Sequence, residues 1–289
     1  MSRVALATSL FALPGAGPSV TSHLDEDMPV LVAELARLGV EARAEVWDDE
    51  RVDWESYDLV VIRSTWGYAD KYPEFLAWAH ARAHLVNPYA VVEYSSDKHY
   101  LGDLAAQGHP VIETGFCEVG EEPAWPDGEF VVKPAIGAGS VDAERFTTDQ
   151  HETARAHVGR LHAKGRAAVI QPYVAAIDEE GERGLVFLDG EFSHALAKRA
   201  HLKVAAHERD GAFRNRQTYA VTAEDGALDV ARGLLSGGFA DLTYGRVDLV
   251  KTPAGWQLME LELVEPALYL SFDEGAAARC ARAIARRIP

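Results

Sequence analysis

The chain has 289 residues, 48% of them hydrophobic and 25% charged, enough for two or three subdomains around a large core. Lys plus Arg number 28 against 45 Asp plus Glu, a net charge of -17, which argues against nucleic-acid or anionic-membrane partners because both need a basic stripe. Two cysteines, Cys117 and Cys280, exclude a disulfide framework or a Cys-type zinc site and make a reducing cytosol the expected compartment.

The apolar start, MSRVALATSLFALPGAG, is short and broken by Thr8 and Ser9, so it reads as a first strand (4–7) and not as a signal peptide. A helix is predicted over 24–38, with Leu31, Leu35 and Leu38 on one face, Asp25 to Asp27 at its start and Gly39 at its stop. Strands follow at 41–46 and 57–62, the second (YDLVVI) apolar throughout as a strand buried on both faces is. A helix over 72–81 and a brief strand at 85–86 complete a small α/β unit over residues 1–95.

SSDKHYLGDLAAQG opens the middle, with Ser96 as the expected N-cap of a helix and Gly108 as its stop. Strands are predicted at 109–114 and 129–134, a helix at 149–164 and a strand at 167–174. Asp189-Gly190 between two apolar runs signals a hairpin, 201–218 reads as a ligand-covering loop, and helices are expected at 228–235 and 273–287.

Three stretches carry chemistry. In TYGRVDLV-KTPAG-WQLMELELV, a hairpin whose loop is Pro253, Ala254 and Gly255 sets Asp248 opposite Glu260 and Arg246 opposite Glu262, all on one face. That face is either wet, with Arg246 neutralising one acid, or holds a hard cation such as Mg²⁺ or Mn²⁺. In FVVKPAIGAGSVD, Lys133 ends an apolar strand before Gly137, Gly139 and Ser140, a turn whose N–H groups can cradle an anion; it matches neither a P-loop nor a dinucleotide fingerprint. In RSTWGY, after the most buried strand, Arg63 is placed to clamp a carboxylate, Ser64 and Thr65 to donate hydrogen bonds, and Trp66 and Tyr68 to wall a substrate site.

The ordered set Asn87-Pro88, Asp97-Lys98, VVKP with its glycine turn, QPYV, GERGLVFLDGEFSHALAK and RVDLV…LMELE resembles the ATP-grasp superfamily, in its glutathione-synthetase-like branch, over about residues 85–289. RSTWGY is similar to small ligases of that branch from antibiotic pathways. The resemblance implies an α/β (α+β) ATP-grasp fold: a substrate-binding α/β domain (1–95), a lid subdomain (96–170) and a C-terminal subdomain with the metal site (171–289), the last two clasping ATP. It implies Lys98 and Lys133 on nucleotide phosphates, Gly137 to Ser140 as a flap, and Gln171, Tyr173 and Val174 at the adenine. Asp178 or Glu182 would reach the ribose, and Asp248, Glu260 and Glu262 would hold two Mg²⁺ ions. Lys198, Arg214 and Arg246 would stabilise an acyl phosphate. The chain departs from the branch at Glu262, where many relatives have Asn, and in FRNRQTY, which lacks a glycine-rich continuation.

The implied activity is an ATP-dependent ligase joining a carboxylate of a small amino-acid-like substrate to an amine-type nucleophile, within one molecule or between two. A small-molecule kinase and a non-catalytic nucleotide-binding regulator of the same fold are the alternatives. A homo-oligomer is compatible with all of these.

Overall fold

The computed structural model describes residues 1–13, 25–199 and 217–289. Strands β1 (Arg3–Thr8), β2 (Glu41–Val46), β3 (Leu59–Ser64) and β4 (Leu85–Val86) form a parallel sheet in the order β2-β1-β3-β4. β3 is buried along its whole length, as its unbroken apolar run requires. Helices α1 (Asp27–Arg37) and α2 (Tyr72–His80) cover the sheet, and α3 (Tyr89–Ser96) and α4 (Tyr100–Ala106) lead out of it.

A second, antiparallel sheet has the order β5-β8-β6-β7, from β5 (Gly115–Cys117), β6 (Phe130–Pro134), β7 (Glu144–Phe146) and β8 (Ala168–Pro172). Its core of Phe130, Val132, Phe146 and Ile170 is closed by Ala154, Val158 and Leu161 of α5 (His151–Ala163). After the four-residue α6 (Ala176–Glu179) comes a five-stranded antiparallel sheet in the order β11-β10-β9-β12-β13. Its members are β9 (Glu182–Leu188), β10 (Glu191–Arg199), β11 (Gln217–Val221), β12 (Tyr244–Thr252) and β13 (Gly255–Glu262). α7 (Asp225–Leu235) packs on it, and α8 (Ala276–Ala285) lies against α1 in a core that joins the first and last sheets and contains Cys280. No helix among the described residues is long and apolar enough to cross a membrane.

The first and last sheets are also tied by polar groups. Asn87 Nδ2 donates to the carbonyls of Tyr244 and Leu263 (2.9 and 2.8 Å), and the Tyr244 hydroxyl donates to Ile62 O (2.6 Å). Ser95 Oγ donates to Leu261 O, while the Leu261 N–H donates to the Tyr100 hydroxyl. β13 is thereby held from both sides.

Three local expectations need correction. Residues 109–114 form no strand; Val111 bridges Leu258 and the Ile112 N–H donates to Leu258 O, so the segment lies alongside β13. Ser96 ends α3 instead of capping α4, and Asp97 Oδ1 accepts the His99 N–H at the next turn. The hairpin turn is tighter than expected: Thr252 pairs with Gly255 and Leu249 with Leu258, one residue out of the expected register. A bulge between Leu258 and Glu260 then inserts Met259 and restores Asp248 opposite Glu260 and Arg246 opposite Glu262.

Candidate active site

Two adjoining clefts meet at the end of β13. The first lies between the second sheet and the five-stranded one. Lys98, Lys133, Gly137, Gly139, Ser140, Gln171, Tyr173, Val174, Glu182 and Glu260 all line it. Its apolar wall also includes Ile112, Val131, Ile177 and Met259, which sequence reasoning missed. Their only signal is apolar character, which every core residue shares. Gly139 takes a left-handed conformation (φ 65°), which lets the turn fold over this cleft. Gln171 is pinned, its Nε2 donating to Thr114 Oγ1 at 2.9 Å. Asp178 does not line the cleft: it is paired with Arg145 and the Tyr173 hydroxyl, so of the two ribose candidates only Glu182 is at the wall.

The second cleft is lined by Trp66, Tyr68, Arg246, Glu260, Glu262 and Glu265, with Tyr269. Lys98, Glu260 and the turn from Gly137 to Gly139 belong to both clefts. Glu265 and Tyr269 were not foreseen, since they follow β13 in an irregular segment with no periodicity to read.

The charged groups interlock. Arg246 grips Asp248 with two N–H groups (2.9 and 3.0 Å), reaches Glu262, and donates to Ala267 O. Lys198, on β10, pairs with Asp248 and with Glu182 (3.1 Å). Lys98 donates to Gly137 O at 2.7 Å and pairs with Glu260 at 3.1 Å, so it ties the glycine turn to β13. Gly184 stands opposite Asp248 on β9, and a Cβ there would lie 3.1 Å from Asp248 Oδ1, close enough that the carboxylate or Leu196 would have to shift.

Burial would raise every one of these acids, and the cations decide which stay charged. Against burial, Arg246 and Lys198 hold Asp248 well below the carboxylate range. Against burial, Lys98 and Lys133 hold Glu260 at about 2. For Glu262, burial outweighs Arg246, and Asp248 and Glu260 add to it, pushing its carboxyl up to about 7. Burial, then Glu262, push Glu265 up to about 8. Lys133 moves the other way: burial lowers it, only partly offset by Glu260.

The three acids share one face, as expected, yet they do not form a finished metal cage: among the described residues no three acid, His or Cys side chains converge in that way. Each acid is turned to a protein cation. The donor set still suits a hard cation, being carboxylate oxygens beside lysines that would accompany phosphate.

The RSTWGY stretch divides. Trp66 and Tyr68 face the second cleft. Arg63, Ser64 and Thr65 do not; they are 1%, 0% and 0% exposed. Arg63 donates to Pro266 O at 3.2 Å and lies 3.7 Å from Asp27 Oδ2, and Ser64 Oγ is bonded to Thr8 Oγ1 at 2.7 Å. The substrate clamp expected of Arg63 is therefore corrected: the residue is an internal cation beneath the cleft. Asp27 does more than start a helix. Its carboxylate accepts the N–H groups of Leu268, Tyr269 and Leu270 (2.8, 3.0 and 2.7 Å), which holds the segment that carries Glu265 and Tyr269. Arg214, Arg216 and nearly all of loop 201–218 lie outside the described residues.

A parallel α/β sheet, a four-stranded antiparallel sheet and a five-stranded sheet bearing acids and cations beside two adjoining clefts are the architecture of an ATP-grasp ligase. The fold is that of D-alanine–D-alanine ligase from Bacillus anthracis (TM-score 0.71, 13% identity, covering 99% of this chain and 97% of that one), a protein also solved in complex with ATP. Within the class, the cycloserine biosynthesis protein DcsG of Streptomyces lavendulae is 37% identical over 308 residues, covering 100% of this chain and 99% of that protein. The crystal structure of D-cycloserine synthetase DcsG superposes with a TM-score of 0.87 at 36% identity over 100% of both chains. Residues 4–87 match the family described as the D-cycloserine synthetase DcsG N-terminal domain. The chain belongs to the DcsG family of ATP-grasp ligases and is an ATP-dependent ligase.

Proposed function

We propose that this ligase closes a ring. It converts the carboxylate of a small, D-configured amino-acid-like substrate, such as O-ureido-D-serine, into an acyl phosphate. The ureido nitrogen bound to oxygen then attacks that carbon and expels phosphate, ADP having formed when the phosphoryl group was transferred, and hydrolysis of the carbamoyl group to carbon dioxide and ammonia leaves D-cycloserine. The observation that carries the reading is the one-faced set Asp248, Glu260 and Glu262, in which Glu260 lines both adjoining clefts, Glu262 lines the aromatic-walled one and Asp248 is buried beside them. It is supported by full-length relatedness to DcsG.

Residues 1–95 and the segment after β13 would hold the substrate, residues 96–170 would cover ATP, and residues 171–289 would carry the acids. Lys98, Lys133 and the N–H groups of Gly137 to Ser140 would receive the phosphates, and Gln171, Tyr173 and Val174, with the apolar wall, the adenine. Glu182 would reach the ribose. Asp248, Glu260 and Glu262 would hold two Mg²⁺ ions, or Mn²⁺ in their place; such ions neutralise charge that develops on a transferring phosphoryl group. Lys198 and Arg246 stabilise the negative oxygens of the acyl phosphate, and because Asp248 holds both of them they require no reorganisation at the moment of reaction; Arg214 would add a third positive charge. Tyr68 and Trp66 exclude water, the competing nucleophile. The net charge of -17 supports a cytosolic enzyme without nucleic-acid or membrane partners; a homo-oligomer is compatible with this.

The test is incubation with MgATP and O-ureido-D-serine alone. ADP and free phosphate should appear in step with D-cycloserine, identified by mass spectrometry. A requirement for a second amine would replace cyclisation with intermolecular ligation. ADP without free phosphate would indicate a kinase, and tight ATP binding without turnover a regulator.

A further inference from the structure

Three acids that line the two clefts, and the buried Asp248, have a protein cation. Glu182 and Asp248 share Lys198, Asp248 and Glu262 share Arg246, and Glu260 has Lys98. Glu265 has none among the described residues, although it is half-buried in the wall of the second cleft. Its carbonyl accepts the Trp66 indole N–H at 3.3 Å, which fixes the residue through its backbone and leaves the side chain free of that duty. Glu265 lines the same cleft as Trp66, Tyr68 and Tyr269, and burial, and next the charge of Glu265, push the Tyr68 hydroxyl well up. A half-buried carboxylate with no ion-pair partner is costly, and burial and the charge of Glu262 raise the Glu265 carboxyl against the more distant Lys98. Trp66, Tyr68 and Tyr269 present rings in the same cleft, and ring faces attract cations. The missing partner is therefore a cation brought by the ligand.

We propose that Glu265 is the seat of the substrate's ammonium group, a specificity-determining contact that selects α-amino acids over their deamino analogues. The inference rests on reading the second cleft as the substrate cleft. Ammonium and carboxylate share one carbon, so fixing the first on Glu265 confines the second to a short arc. Glu260 and Lys98, which line both clefts, mark where that arc must meet the phosphates. Two anchored substituents on the α-carbon also fix which hand of the substrate directs its third substituent back at the carboxylate.

The test uses Glu265→Gln, which keeps shape and the backbone contact with Trp66 and removes the charge. Calorimetry on the full chain with MgADP measures binding of O-ureido-D-serine and of 3-(ureidooxy)propanoate, the same compound without its amino group. The unsubstituted protein should bind the amino compound about 10- to 100-fold more tightly, the scale of a hydrogen bond to a charged group. Glu265→Gln should close that gap by weakening the amino compound alone, with MgATP affinity unchanged. A gap that persists in the variant overturns the proposal. So does equal weakening of both compounds, or a matching loss of MgATP affinity, which would place Glu265 with the nucleotide ligands. Binding is read apart from turnover. A gap that closes in a protein making no D-cycloserine would leave Glu265 in place and reject the ring-closing reading. D-cycloserine formed by a variant whose gap persists would do the reverse. No measurable binding of the amino compound to the unsubstituted protein would reject both.

Discussion

Two stretches announce a site in the sequence, and the fold treats them differently. In LMELE (258–262), both glutamates stand on the expected face, opposite the expected partners. In RSTWGY (63–68), two aromatic residues reach a cleft while Arg63, Ser64 and Thr65 turn inward. A hairpin carries its own ruler, because alternation and cross-strand pairing fix where each side chain points. The end of a buried parallel strand has no such ruler. What packs over it decides, and here the packing comes from Asp27 and Pro266, far away in sequence.

Three experiments press on that contrast. Glu260→Gln should lower ADP release about a thousandfold, at the upper end of losing one electrostatic stabiliser. Circular dichroism should stay native, because Glu260 sits at a cleft surface; near-normal turnover would return the β13 acids to the status of a wet sheet face. Arg63→Met should cost about 3 kcal/mol in urea denaturation, since Asp27 and its neighbour Asp25 would lose their buried cation. The KM for the substrate should move little. A large rise in KM with unchanged stability would make Arg63 a clamp after all and erase the difference between the two stretches. Met259→Ala, which trims the bulge residue on the nucleotide wall, should weaken ATP binding about fivefold, near 1 kcal/mol of lost apolar contact. No change would mean that the bulge serves register alone.

Much of the architecture was open to reading because its signals are local. β2 and β4 match their expected spans, and Asp189-Gly190 turns the β9–β10 hairpin as that dipeptide should. The acid set was legible for a less secure reason: the two-residue turn shifts the register by one, and the bulge at Met259 shifts it back. Neither is visible in the pattern, and the two cancel. The misses share a cause. Residues 109–114 look like a strand but have β13 only as a brief bridge partner, and Ile112 becomes cleft wall instead. Glu265 and Tyr269 carry no periodic mark. Asp178, on α6, is paired instead with Arg145 of β7.

The Asp27 carboxylate deserves a last consequence. It grips the backbone at Leu268, 241 residues further along the chain. A ribosome delivers the gripping group long before the gripped segment. One wall of the chamber thus takes its final form only after Leu270 has emerged, on a domain that has already had time to fold. A copy shortened at its front would keep every acid of β12 and β13 and still lack the brace that shapes the chamber beside them.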